Sequence, residues 1–115
     1  MWQVELYEKE NGEKPVATFI KSLDLKLRLS TVALIDKLEI LGNNITEPFS
    51  KHIKDGVFEL RIKQSTNIAR VFYFFQVGKK IILTNGFVKK TQKTPKTELT
   101  KALEYKKDYE QRSKV

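Results

Sequence analysis

The chain begins with alternating hydrophobic and polar residues and then changes to a helical spacing. Trp2, Val4 and Leu6 alternate with more polar neighbours, which predicts a short strand with one buried face. Residues 8–14 are polar and contain the Asn-Gly pair typical of a turn. Apolar residues then recur three and four positions apart over residues 16–23, which predicts a helix with Pro15 in its first turn.

A second stretch with helical spacing predicts a longer helix over residues 24–41. Its leucines recur along one stripe from Leu27 to Leu41. Gly42 follows this stripe, and glycine is the residue that most readily takes the left-handed conformation at a helix end. The two asparagines after Gly42, together with Pro48, indicate a connecting loop.

Three strand-like runs follow the predicted helices. They cover residues 57–63, 68–77 and 80–88, and the second run is rich in aromatic and β-branched residues. The connections between them, residues 64–67 and Gly78-Lys79, are short, so we expect two antiparallel hairpins.

The last predicted element is a helix with a thin apolar face around Leu99 and Ala102, for which Thr94 is a candidate cap and Pro95 a candidate first residue. The order of strand, two helices, three strands and helix indicates an α+β fold, a helical hairpin packed on one side of a twisted antiparallel sheet, with a C-terminal helix. A chain of 115 residues is long enough for one domain, which we expect to span residues 1–115.

Side-chain alternation places a group of charged and aromatic residues on one face of the predicted sheet. The first turn pairs Lys63 with Ile68, and therefore Arg61 with Arg70. The second turn pairs Arg70 with Phe87. The resulting face carries Glu59, Arg61, Lys63, Arg70, Phe72, Asn85, Phe87 and Lys89.

Composition narrows the chemistry that this face can perform. The chain has no cysteine and a single histidine, His52, which excludes disulfides, thiolate metal sites and histidine pairs and suits a cytoplasmic protein. No apolar run approaches a membrane span, and the N-terminal residues do not resemble a signal peptide.

Residues 1–50 carry 6 basic and 8 acidic side chains, whereas residues 51–115 carry 16 basic and 6 acidic side chains, which gives net charges of −2 and +10. A polyanion such as nucleic acid is the natural partner of the basic half, with a solvated basic surface as the alternative.

The predicted face offers cations and one carboxylate around a phosphate-sized site. This is enough for RNA cleavage by the neighbouring 2′-hydroxyl, without metal or cofactor. Arg61 and Arg70 would stabilise the anionic phosphorane. Lys89 or Lys93 is a candidate for proton transfer, and Glu59 is either a general base or an ion-pair partner of Arg61.

Other residues of the face are candidates for RNA binding. The RNA strand would contact Lys63, Lys90 and Asn85, and its bases could stack on the rings of Phe72 and Phe87. The lysines after the third strand lead into a helix N-terminus, whose N–H groups would extend the anion site.

Three sequence blocks resemble the HigB branch of the RelE/ParE toxin superfamily, which includes phage-derived relatives. The blocks are GVFELR at residues 56–61, ARVFYFF at residues 69–75 and IILTNGFVKKTQKTP at residues 81–95. The resemblance implies a RelE-like toxin fold and a bacterial type II toxin that cleaves mRNA on the ribosome without metal. It also implies a neutralising HigA-like helix-turn-helix antitoxin. Arg61 and Arg70 stand where similar toxins act on the scissile phosphate with cationic residues.

The chain departs from these relatives at the positions of proton transfer. Many of them carry a histidine where this chain has Asn85, and the C-terminal tyrosine of RelE has no evident counterpart, since Tyr105 and Tyr109 lie far along the last helix. Two other functions stay open. One is inhibition of gyrase, as in ParE-like proteins, and the other is RNA binding without catalysis.

Overall fold

The computed structural model describes residues 1–90 and 93–114, which form a five-stranded sheet with three longer helices. The elements in chain order are β1 (Gln3–Leu6), α1 (Pro15–Ser22), α2 (Leu25–Leu41), β2 (Ser50–Lys54), β3 (Val57–Gln64), β4 (Asn67–Gln76), β5 (Lys80–Val88) and α3 (Lys96–Arg112), with one turn of 3₁₀ helix at Gly42–Asn44. The predicted α+β class and its C-terminal helix are confirmed. No helix within the described residues has the length and hydropathy needed to cross a membrane.

The strands are ordered β1-β5-β4-β3-β2, and the sheet is mixed. β1 runs parallel to β5, whereas the other neighbouring pairs are antiparallel. The expectation of a purely antiparallel sheet is therefore wrong for β1. The edge strand β2 was not predicted, because its sequence is mostly charged or polar and four of its five residues lack an apolar side chain.

Helices cover both faces of the sheet, which corrects the expectation that they lie on one side. On the first face, Val16 of α1 and Leu38 of α2 belong to the same buried cluster as Leu60 and Val71 of the sheet. On the opposite face, Phe72 and Phe87 form a second buried cluster with Ala102 of α3, against which Leu99 and Leu103 also pack. The face predicted to bind RNA is thus partly covered by α3.

The predicted register is confirmed at the two arginines and fails near the second turn. Arg61 pairs with Arg70, and Arg70 pairs with Phe87, as expected. The second turn is longer by one residue, because Gln76, and not Val77, pairs with Lys80. A bulge in β5 places two residues, between Leu83 and Gly86, opposite the single residue between Val71 and Tyr73, and so restores the register at Arg70.

The ends of the helices follow the sequence signals except at α3. The Leu27 N–H donates to Oδ1 of Asp24 at 3.0 Å, so Asp24 caps α2. Gly42 has a φ of +54° and lies against Trp2, where a side chain would collide with the indole ring. The predicted cap at Thr94 is wrong, since α3 begins at Lys96 and the Thr94 hydroxyl is engaged elsewhere.

Candidate functional site

A buried carboxylate on β3 holds two arginine side chains together. The side chain of Glu59 is only 1% exposed. Its Oε1 accepts hydrogen bonds from Nε of Arg61 and from Nε of Arg70, each at 3.2 Å. Its Oε2 accepts a hydrogen bond from the Thr94 hydroxyl at 2.8 Å, on the segment that leads into α3. We call these four residues the Glu59 cluster.

The Glu59 cluster explains how two arginines can face each other across neighbouring strands. Like charges directly opposite in a sheet repel, and Glu59 offsets this repulsion by lying between the two guanidinium groups. Arg70 is the more buried of the two, with 11% of its side chain exposed against 28% for Arg61. Burial lowers the pKa of Arg70 and Glu59 opposes that shift. An arginine nevertheless keeps its charge in a protein.

Both arginines line a cleft of about 600 Å³ between α2, the segment before β2, and the ends of β3 and β4. The residues that line it are Ser30, Ala33, Leu34, Lys37, Pro48, Phe49, Arg61, Ile62, Lys63, Ile68 and Arg70. We call this cavity the arginine cleft. Four of these residues are cationic and none is acidic, so the cleft favours an anionic ligand.

The guanidinium groups keep hydrogen-bond donors for such a ligand. Nη1 of Arg70 donates to the Ala69 carbonyl at 3.1 Å, and Nη1 of Arg61 lies 3.6 Å from the exposed carboxylate of Glu47. Across residues 1–90 and 93–114, no protein group accepts a hydrogen bond from Nη2 of either arginine. Arginine binds phosphate through such paired donors, which makes this cleft a candidate phosphate site.

Glu59 is unsuited to the role of general base that was considered for it. Both of its oxygens accept hydrogen bonds, and the carboxylate is almost fully buried. A base must reach the proton that it abstracts. Its contacts are with the two arginines, whose guanidinium groups it holds in place.

The lysines predicted for the site lie in two different places. Lys63 is exposed and lines the arginine cleft. Lys89 follows β5, where its N–H donates to the Ile68 carbonyl at 2.8 Å. Lys89, Lys90 and Lys93 are not among the residues that line the cleft. Residues 91–92, which belong to the third sequence block, lie outside the described residues.

Three residues predicted to contact RNA are buried, so that prediction is wrong for them. Phe72 and Phe87 pack on each other with ring centroids 5.6 Å apart, beneath α3. The Asn85 amide nitrogen donates to the carbonyl oxygen of Glu98 at 3.0 Å, which ties β5 to α3. Parity placed these side chains on the correct face of the sheet. What the sequence did not show is that α3 covers that face.

Two residues of the cleft, Lys37 and Phe49, were missed by the sequence analysis. Lys37 comes from the middle of α2, and Phe49 precedes the unpredicted strand β2. Nζ of Lys37 lies 3.8 Å from the centroid of the Phe49 ring, a distance at which a cation is attracted to an aromatic face. The only sequence signal for Phe49 was its position as an aromatic residue beside a proline and among polar neighbours.

The histidine and the C-terminal tyrosines, which were not expected to be catalytic, lie elsewhere. His52 is exposed on β2, where its Nε2 accepts a hydrogen bond from the Gly56 N–H at 3.2 Å. Tyr105 stacks on Tyr7 with ring centroids 4.7 Å apart, and Tyr109 packs edge-on against Phe74. Among the residues that line the arginine cleft there is no His52, Tyr105 or Tyr109.

Comparison with known proteins gives one family match. The model of the family described as "Phage derived protein Gp49-like (DUF891)" matches residues 18–107. The matched stretch contains the Glu59 cluster and every residue that lines the arginine cleft. A search of curated proteins finds no match.

Proposed function

The chain belongs to the Gp49-like family of phage-derived proteins, a toxin-like family related to RelE and HigB, and we propose that it is the toxin of a type II toxin–antitoxin pair. We further propose that it cleaves mRNA on the ribosome and thereby stops translation in the bacterial cytoplasm. The observation that carries this proposal is the pair of arginines that Glu59 holds at the wall of a cationic cleft.

The proposed reaction takes its nucleophile from the substrate. The 2′-hydroxyl of a nucleotide attacks the adjacent phosphorus, the bond to the 5′-oxygen breaks, and a 2′,3′-cyclic phosphate forms. Arg61 and Arg70 bind the phosphate and stabilise the additional negative charge of the phosphorane. Because Glu59 holds both guanidinium groups in place, little reorganisation is needed when the charge appears.

Proton transfer is the part of the mechanism that we assign to lysine. The attacking 2′-hydroxyl gives up a proton and the departing 5′-oxygen takes one up, so a lysine amine near the cleft can accept the first proton and, as the ammonium, donate one to the 5′-oxygen. Lys63 lines the cleft, and Lys89 and Lys93 are the candidates from the segment that follows β5. Lys90 is exposed beside them and is proposed to contact the RNA backbone.

The proposal is tested by inducing the wild-type chain and the Arg70→Ala variant in a bacterial host. The 5′ ends of mRNA are then mapped by primer extension. We expect new ends inside translated codons with the wild type, and no such ends with Arg70→Ala at equal protein level. Growth arrest with intact mRNA would contradict the proposal. DNA breaks in that case would favour the ParE-like function, gyrase inhibition.

We also propose a cognate antitoxin of the HigA-like helix-turn-helix class as the partner that silences the chain. The arginine cleft is cationic, so an acidic segment could mask it. Co-expression of the protein encoded beside this chain is the test, and we expect it to restore growth and to purify with the toxin.

A further inference from the structure

We propose that Phe49 is a stacking platform for one nucleobase of the RNA bound in the arginine cleft. This inference rests on the proposed RNA-cleaving function and adds a binding subsite to it. It replaces the buried rings of Phe72 and Phe87 as the aromatic contact with RNA.

Within residues 1–90 and 93–114, Phe49 is the one phenylalanine, tyrosine or tryptophan whose side chain is exposed. It is 37% exposed and lines the cleft together with Arg61 and Arg70. The ring is therefore accessible to a ligand bound in the cleft and can make the kind of contact that an aromatic face makes well. Base stacking is such a contact, and it tolerates different base sequences.

The backbone fixes Phe49 beside the phosphate site. The Arg61 N–H donates to the Phe49 carbonyl at 2.8 Å, and the Phe49 N–H donates to the Thr46 carbonyl at 3.0 Å. The ring therefore projects from a residue whose backbone is hydrogen-bonded to β3 at Arg61. A nucleotide whose phosphate is held by Arg61 would have its base, or that of its neighbour, next to this ring.

The surroundings of the ring suit a base in a strand of RNA. Pro48 and Leu34 contribute apolar surface to the same cleft, which would exclude water from a stacked base. The ammonium of Lys37 lies over one face of the ring, 3.8 Å from its centroid, so the base would either stack on the other face or displace this ammonium toward a phosphate. The combination of one aromatic ring with flanking cations is the pattern by which proteins bind single strands without reading sequence.

The test uses the purified full chain and short single-stranded RNA that is 2′-O-methylated throughout, so that binding is measured without cleavage. Phe49→Leu removes the aromatic face and keeps an apolar side chain, whereas Phe49→Tyr keeps the ring. Leu25→Ala is the matched control, because Leu25 is exposed on α2 but does not line the cleft. A second RNA series carries a single abasic nucleotide at each position in turn.

We expect Phe49→Leu to weaken binding of intact RNA about 5- to 100-fold, the range that loss of one stacked base corresponds to. Phe49→Tyr and Leu25→Ala should bind within about twofold of the wild type. One abasic position should weaken wild-type binding by a similar factor and should have little further effect on Phe49→Leu.

Three results would overturn the inference. If Phe49→Leu binds intact RNA as tightly as the wild type while Arg61→Ala does not, the stacking site is wrong and the phosphate site stands. If the wild type neither binds this RNA nor cleaves mRNA on programmed ribosomes, the proposed function fails as well. If Phe49→Leu spares RNA binding but abolishes capture of the antitoxin, the ring is a protein contact.

Discussion

Two clusters of the molecule combine a carboxylate with arginine, and they differ in the balance of positive and negative charge. In the Glu59 cluster, one buried carboxylate serves two arginines. In the second, which we call the Asp108 cluster, Oδ2 of Asp108 accepts hydrogen bonds from the Tyr7 hydroxyl and from Nη2 of Arg112, each at 2.6 Å. This cluster has one negative and one positive charge, and Nη2 of Arg112 also donates to the Glu8 carbonyl.

The difference shows how similar residues can serve a structural or a functional purpose. The Asp108 cluster is balanced and fastens the C-terminal half of α3 to Tyr7, on which Tyr105 stacks. The Glu59 cluster carries more positive than negative charge, and its arginines line a cleft with two further cations. An excess of positive charge in a fold is unfavourable until an anion binds, which is why we place the substrate phosphate there.

Stability should separate the two clusters most strongly. Glu59→Gln leaves two partly buried arginines without their counter-charge, and we expect the free energy of unfolding to fall by about 3 kcal/mol. Asp108→Asn acts on a side chain that is 42% exposed, and we expect a loss of at most about 1 kcal/mol because solvent screens the pair. Urea denaturation of both variants at pH 7 measures the difference.

A Glu59→Gln variant as stable as the wild type would contradict the positioning role assigned to Glu59. Equal losses in the two variants would show that burial does not distinguish the clusters. Activity gives an independent readout, since only Glu59→Gln should also slow mRNA cleavage.

The pH dependence of stability tests the Asp108 cluster, and we expect a smaller effect than the stability loss in Glu59→Gln. The hydrogen bond from Tyr7 lowers the pKa of the Asp108 carboxyl, with a further contribution from Arg112. Because this pKa is lower in the folded than in the unfolded protein, the stabilisation is present at neutral pH and is lost as acid protonates the carboxylate. The stability difference between the wild type and Asp108→Asn should therefore shrink below about pH 4. A difference that stays constant down to pH 2.5 would contradict this account.

Ionisation of the Tyr7 hydroxyl tests the same cluster at alkaline pH. Burial, with the Asp108 carboxylate, raises the pKa of Tyr7 to about 12. A raised pKa stabilises the folded protein below the unfolded value of about 10, and this contribution is lost as the pH rises through the folded value. The stability advantage of the wild type over Tyr7→Phe should thus vanish between about pH 10 and pH 12, as measured by denaturation at each pH.

Parts of the candidate site could be predicted from the sequence, and other parts could not. The pairing of Arg61 with Arg70 was predictable, because a short turn and strict alternation determine it locally. The partners of Glu59 were only partly predictable, since Thr94 reaches it from a segment 35 residues away. Phe49 and Lys37 could not be placed in the site at all, because only the packing of α2 beside β3 brings them to it.

The central claim is that two arginines held by Glu59 act on a phosphate whose attacking hydroxyl belongs to the RNA. Its most direct test is single-turnover cleavage of mRNA on programmed ribosomes by the purified wild type, Arg61→Ala and Arg112→Ala, with and without a 2′-O-methyl group at the mapped site. We predict that Arg61→Ala slows cleavage about 10²- to 10³-fold, that Arg112→Ala matches the wild type, and that the methyl group stops cleavage. Cleavage of the methylated mRNA at the normal rate, or equal rates for the two arginine variants, would contradict the account.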